Sequence, residues 1–301
     1  MSNSRSQINN TLDRILDNVP PEIRSDIKRK LESIIFYTPK IGVMGKSGAG
    51  KSSLINAIMG RNVCQTGGVG GCTRDIQEER ISVGSREIIF MDLPGIAENT
   101  QRNDEYVQLY AKKLKDLDVL LWVIKIDDRA NKDDEEFYNW LIKNYKKERI
   151  LFVLSQSDKA EPSRDWNYNI YSPSNIQLNT IYKNQQRIKD TFCVSLDDII
   201  PIACEFYNNK FDTYNIDKLV TRIIQKVPQE AKSSLLSSVA MENRTQEAKK
   251  EAKSTFRSVV DTIYDTAVEY IPVPAPVKIV LRKSKDWVVD KVEAGWNWLF
   301  G

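Results

Sequence analysis

The 301-residue chain is long enough for one large domain or two ordinary ones, and 41% apolar and 28% charged residues fit a globular protein with a real core. Lys and Arg number 44 against 41 Asp and Glu, a net charge of +3 that argues against nucleic-acid binding through bulk charge. Histidine is absent, which excludes histidine metal sites, Ser-His-Asp and Cys-His triads and histidine pH switches.

The first ten residues are polar and lack the apolar run of a signal peptide. Residues 21–37 then carry Ile23, Ile27, Leu31, Ile34 and Ile35 at helical spacing, with Pro21 suited to the first turn and Pro39 ending the pattern. From residue 40 the chain alternates. Strands are predicted over 40–44, 77–83, 87–91, 119–124, 149–154 and 199–203, and helices over 51–60, 103–115, 133–145, 174–192 and 216–226. The runs 119–124 and 150–154 are continuously apolar, as strands buried on both faces are. The predicted fold class is α/β: a mostly parallel central sheet with helices on both faces, flanked by N- and C-terminal helices. The expected divisions are an N-terminal helical segment, 1–38, a nucleotide-binding domain, 39–228, and a C-terminal helical region, 229–301.

Beyond Pro228 the pattern is helical. Phe256, Val259, Val260, Ile263, Tyr264, Ala267, Val268 and Ile271 form one stripe, and a last helix is predicted over 277–299. In that helix Val277, Val280, Leu281, Val288, Val292, Gly295 and Leu299 share a face, with lysines near its start and Trp287, Trp296 and Trp298 towards its end. Two readings follow: a helix docked on the protein's own N-terminal helix, or one lying on a membrane surface. No window approaches 18 consecutive apolar residues, so no transmembrane helix is expected. Cys64, Cys72, Cys193 and Cys204 lack CxxC spacing and are read as reduced thiols of a cytoplasmic protein.

Eleven of the 13 glycines lie between residues 42 and 95, so the chemistry is expected there. Gly45-Lys46-Ser47-Gly48-Ala49-Gly50-Lys51-Ser52 matches GxxxxGK[ST] after a strand and before a helix. Backbone N–H groups of such a loop curl around a phosphate, and the helix N-terminus adds positive potential. Lys51 is expected to reach the β- and γ-phosphates and Ser52 to ligate Mg²⁺, with Ser53 the next position of the site. Asp92, in Asp92-Leu93-Pro94-Gly95, can hold the Mg²⁺ through water, and Gly95 can offer its N–H to the γ-phosphate. Thr73 follows a glycine-rich run, and can complete the metal shell and sense the γ-phosphate. Lys51, Thr73 and Gly95 are therefore the catalytic candidates, and Ser52, Thr73 and Asp92 the metal candidates.

The second group follows the fifth strand: Ser155, Gln156, Asp158 and Lys159. An ionised Asp158 can accept both N1–H and N2–H of guanine, a donor pair that adenine lacks. After the last strand, Ala203 and Cys204 bring a backbone N–H, that of Cys204, to guanine O6.

With these elements in order, residues 38–228 resemble an Era-like P-loop GTPase of the translation-factor class. The wording GKSGAGKSSLINAI, CTRD, DLPGIAE, LWVIKIDDRA and LSQSDKAEP is similar to the bacterial YfjP/YeeP-type GTPases. The resemblance implies a Mg·GTP switch with mobile segments near 61–75 and 93–104. It also exposes departures. Ser155 and Gln156 replace the Asn and Lys of NKxD, and Ala203-Cys204-Glu205 replaces SA[KL]. Gly48 stands where potassium-activated relatives carry asparagine, and Ile96 where Ras-like proteins place a water-orienting glutamine. Slow intrinsic hydrolysis is the expectation, completed by an effector protein or a second copy of the chain, with Glu98 and Arg74 as in-chain candidates. The competing expectation is a dynamin-like or scaffolding protein that self-assembles or attaches to membrane through its C-terminal helices. A KH-type RNA module is not expected, because no glycine occurs from 96 to 294 to build a GxxG loop.

Overall fold

The computed structural model describes residues 4–17, 19, 21–64, 77–93, 104–129, 132–208 and 210–300. It opens with a helix that is not among the predicted elements, α1 (Arg5–Leu16). Ser4 Oγ accepts from Gln7 N at 3.2 Å and Gln7 Oε1 from Ser4 N at 2.8 Å, a capping box satisfying two N–H groups that a helix start otherwise leaves open. Ile8, Leu12 and Leu16 make its single buried stripe. The helix predicted over 21–37 is α2 (Pro21–Ile35), burying Ile23, Ile27 and Leu31.

The alternating region follows: β1 (Lys40–Met44), α3 (Lys51–Met59), β2 (Gln77–Val83), β3 (Arg86–Leu93), α4 (Asp104–Lys115) and β4 (Val119–Lys125). Then come α5 (Lys132–Asn144), β5 (Ile150–Ser155), α6 (Asn175–Phe192) and β6 (Ile199–Pro201). Strands β2-β3-β1-β4-β5-β6 form one sheet in that order, antiparallel only between β2 and β3. All six residues of β5 are buried, and the first five of β4, because helices cover both faces. Asp118 pins the end of the N-terminal helices to this sheet: it accepts from Tyr37 Oη at 2.7 Å and from Lys40 N at 2.9 Å. Burial raises its pKa, and those two hydrogen bonds oppose the rise.

The strand expected over 199–203 is shorter than predicted. It stops at Pro201, which has no N–H to continue the ladder. The chain then forms a separate hairpin, β7 (Ala203–Tyr207) with β8 (Lys210–Tyr214), so Cys204 lies inside a strand rather than in a loop. Helix α7 (Ile216–Lys226) closes the alternating region as predicted.

The remaining helices are α8 (Lys232–Ser238), α9 (Gln246–Tyr270), α10 (Ala275–Ala294) and α11 (Trp296–Phe300). The expected last helix is divided at Gly295. Its apolar face turns inward: Leu281, Val288, Val292, Leu299 and also Trp296 are buried, whereas Val277 and Val280 are exposed. Contacts run from α10 to α9 and α1, and from α9 to α2, α7 and α8. One continuous core joins these helices to the sheet, from Leu16 and Leu31 through Val43 and Ile58 to Leu236, Phe256 and Phe300.

Polar contacts lock the same junction. Arg86 Nε donates to Ile35 O at 2.9 Å and its Nη2 to Leu299 O at 2.6 Å, while the guanidinium lies 4.9 Å from the centre of the Phe300 ring. Trp296 Nε1 donates to the buried Ser233 Oγ at 3.0 Å. No helix among the described residues is long and apolar enough to cross a membrane.

Candidate nucleotide-binding site

Strand β1 lies between β3 and β4, and the glycine-rich loop leaves its carboxyl end. In open α/β sheets ligands bind at the carboxyl ends where the strand order reverses, and that is where residues 45–50 lie. The loop depends on glycine. Gly50, the N-cap of α3, has φ 92°, and a Cβ on Gly45 would lie 2.3 Å from Val123 O, inside any real contact distance. Lys51 begins α3. Its Nζ donates to Gly45 O at 2.9 Å and lies 3.8 Å from the Asp92 carboxylate, which β3 carries beside β1. Ser52 and Ser53 follow in the same first turn. Lys46 reaches sideways to Asp134 on α5 at 3.6 Å. Lys51, Ser52 and Asp92, chosen from the sequence, are thus brought to one mouth.

The residues fit a magnesium nucleotide. Mg²⁺ favours oxygen donors and takes one or two from the protein, the rest from phosphate and water. A hydroxyl on the first turn of α3 and a carboxylate aimed at the neighbouring lysine supply that number. Thr73 and Gly95, with Arg74 and Glu98 and most of the two segments 61–75 and 93–104, lie outside the described residues.

The β5 loop docks on this one. Ser155 Oγ donates to Ala49 O at 2.7 Å and lies 3.2 Å from Ile124 O, while Gln156 Nε2 donates to Gly48 O at 3.0 Å. Two residues that depart from NKxD therefore still bind the loop carrying Asp158 to the phosphate loop. Gln156 adopts φ 55°, turning the chain into the short helical turn at Ser157–Lys159. Ser157 N donates to Ile202 O at 3.0 Å and Gln177 Nε2 to Ala160 O at 2.9 Å, fixing the turn from both sides. Lys159 Nζ donates to Gln156 Oε1 at 2.7 Å.

Burial raises the Asp158 pKa, a rise that its backbone hydrogen bond and Lys159 oppose. The Cys204 thiol, carried by β7, is pushed up to about 12, first by burial and then by the negative charge of Asp158. Tyr171 is raised by burial and by Asp158 and Cys204 together. Its ring meets Trp166 edge-on at 5.5 Å, and Trp166 meets Tyr214 at 5.5 Å, so an aromatic wall adjoins the site. The sequence reading did not select Trp166 or Tyr171. Their only signal was an aromatic-rich stretch after the Asp158 loop, which any packed loop can show.

The parallel sheet, the phosphate loop at its switch point and the docked carboxylate loop define a P-loop protein of the GTPase class. A family model described as a 50S ribosome-binding GTPase matches residues 40–156. YkfA of Escherichia coli K12 is 33% identical over 285 residues, covering 95% of this chain and 96% of that protein. YfjP of the same organism is 33% identical over 289 residues, covering 96% and 97%. The chain belongs to the family of YkfA and YfjP, among the Era-like P-loop GTPases. A crystal structure of Aquifex aeolicus Era bound to GDP and aluminium fluoride is similar at 26% identity and a TM-score of 0.45, covering 64% of this chain and 57% of that one.

Proposed function

We propose that the protein binds GTP with Mg²⁺ and hydrolyses it slowly to GDP and phosphate, acting as a nucleotide switch. The observation that carries this reading is the docking of the Asp158 loop on the phosphate loop through Ser155 and Gln156. It sets one site for phosphate and one for a purine edge at a fixed separation. Guanine offers its N1–H and N2–H to Asp158, and Cys204 and Ala203 line the O6 side. The loop N–H groups and Lys51 hold the β- and γ-phosphates, while Ser52, Asp92 and Thr73 hold the metal. Bound Mg²⁺ neutralises charge on the phosphate oxygens. Phosphoryl transfer demands positioning and charge stabilisation more than a strong base, so this set suffices for slow turnover.

In this reading Lys51, which donates to Gly45 O at 2.9 Å and lies 3.8 Å from Asp92, exchanges that carbonyl for a phosphate oxygen. Segments near 61–75 and 93–104 are the proposed switches, and a protein effector or second copy of the chain the proposed accelerator. Helix α3 links the first segment to the helical region: Asn56 Oδ1 accepts from Val63 N and Cys64 N at 2.8 Å each, at the edge of that segment. On the other side Asn243 Nδ2 donates to Ala57 O at 2.9 Å and Ile58 O at 3.1 Å, at the far end of α3.

A fluorescent-nucleotide titration tests the reading, with GTP, ATP and xanthosine triphosphate on the wild type and Asp158→Asn. Guanine preference that moves towards xanthine in the variant is the expected result. Equal binding of GTP and ATP by the wild type would refute it.

A further inference from the structure

The sheet order lays out the nucleotide. Asp92 is on β3, the phosphate loop follows β1, and Asp158 follows β5, so a nucleotide lies across the carboxyl edge with its terminal phosphates towards β3 and its base towards β5. Strand β4 lies between the phosphate loop and the base loop. Its last residue is Lys125, in register with Ser155, the last residue of β5 before the base loop. A Cβ built on Gly48 would lie 3.8 Å from Lys125 Nζ, and Gly48 O is the acceptor that Gln156 holds. Lys125 and Gln156 therefore converge on one residue of the phosphate loop.

The neighbouring ammonium groups are engaged: Lys46 with Asp134, Lys51 with Gly45 O and Asp92, and Lys159 with Gln156. Lys125 has no ion pair or side-chain hydrogen bond among the described residues, and it is half-buried at the end of a strand whose backbone is fixed on both sides. A lysine is a point charge on a flexible stem, suited to phosphate or ether oxygens rather than to a planar fork. Gln156 has placed a neutral amide where the base loop of an NKxD protein has a lysine. The charge is restored from the adjacent strand.

We infer that Lys125 is a nucleotide-binding residue, its ammonium contacting the oxygens where the ribose joins the α-phosphate, in place of the charge missing at Gln156. This rests on the GTP-binding reading above. GTP and GDP share those oxygens, so removing the ammonium weakens both by the same factor. A charge-assisted hydrogen bond of this kind corresponds to about 10- to 100-fold in affinity.

The experiment titrates fluorescent GTP and GDP against the full chain, its Lys125→Gln and Lys125→Met variants, and the double variant Lys125→Gln/Gln156→Lys. Melting temperatures are taken without nucleotide, and Lys125→Met, which keeps the stem, serves if the glutamine variant folds poorly. The expected result is an equal loss for GTP and GDP in the single variants, largely recovered in the double variant, where the charge returns from the base loop. A side chain needed only for packing would not be rescued in that way. Unchanged affinity in the single variants, a loss confined to GTP, or a loss that the double variant leaves in place would overturn the assignment. Failure of the wild type to bind either guanine nucleotide would instead sink the GTP-binding reading, a distinguishable outcome.

Discussion

Replacing Asn243 with alanine tests whether the helical region and the phosphate-binding helix behave as one body. Asn243 is 3% exposed, and its amide donates to Ala57 O at 2.9 Å and Ile58 O at 3.1 Å, two carbonyls at the carboxyl end of α3. Both carbonyls keep a second donor after truncation. Gly60 N still reaches Ala57 O at 3.3 Å, and Ala240 N still reaches Ile58 O at 3.0 Å. The loss is therefore that of two neutral hydrogen bonds without orphaned acceptors, about 1–3 kcal/mol in all. For a chain of this size that corresponds to a drop of about 2–5 °C in melting temperature. The assay is scanning calorimetry with and without GDP. Because one core runs from the sheet into α8 and α9, a single transition is expected to move as a whole, and the GDP-induced increment is expected to persist. Two separated transitions, with only the smaller one displaced, would refute the shared core as the source of cooperativity.

Gly45→Ala puts a methyl carbon 2.3 Å from Val123 O, so the loop must shift and nucleotide binding is expected to be lost in an equilibrium titration at near-native stability elsewhere. Ser155→Ala removes the 2.7 Å bond to Ala49 O and should weaken GTP and GDP together by about threefold to tenfold, measured by the same titration. The Asp158 pKa is raised by burial, so its neutral form persists to higher pH than for an ordinary aspartate. Guanine N–H groups need the ionised form, so affinity should fall as pH falls through that raised pKa, and Asp158→Asn should show no such fall. Stability of the nucleotide-free protein runs the other way: protonation removes the cost of burying the charge, so this carboxyl adds stability as pH falls. Trp296→Ala empties a buried indole site and removes the bond to Ser233, which should cost about 3–5 kcal/mol in denaturant unfolding.

Much of the architecture was legible because its causes are local. Hydrophobic period and turn residues located β1, β2 and α7 with their observed bounds, and the other predicted strands and helices of the sheet, β6 apart, to within a residue or two. Helix α1 was readable but faint: three apolar residues at four-residue spacing in a polar stretch, with a capping box as the confirming signal. The end of β6 was also written locally, in Pro201, yet the hairpin beyond it needs its two strands to find one another, and no single window shows a pairing. Gly295 divides the last helix, but a glycine in a helical pattern does not by itself say whether the chain bends there.

The sequence by itself determined the α/β class and the phosphate loop, and marked Asp92 and Asp158 as candidates beside it, because backbone geometry and helix polarity follow from spacing along the chain. Tertiary structure decided the rest. Residues 31, 108 and 77 positions apart met as Ser155 Oγ lay near Ile124 O, Gln156 reached Gly48 and Lys125 closed on the same glycine, and none of these distances is periodic. The tryptophans of the last helices divided in the same way. Trp296 found Ser233 and the core while Trp287 and Trp298 stayed partly exposed, because which face of an amphipathic helix is covered depends on the neighbour that packs against it.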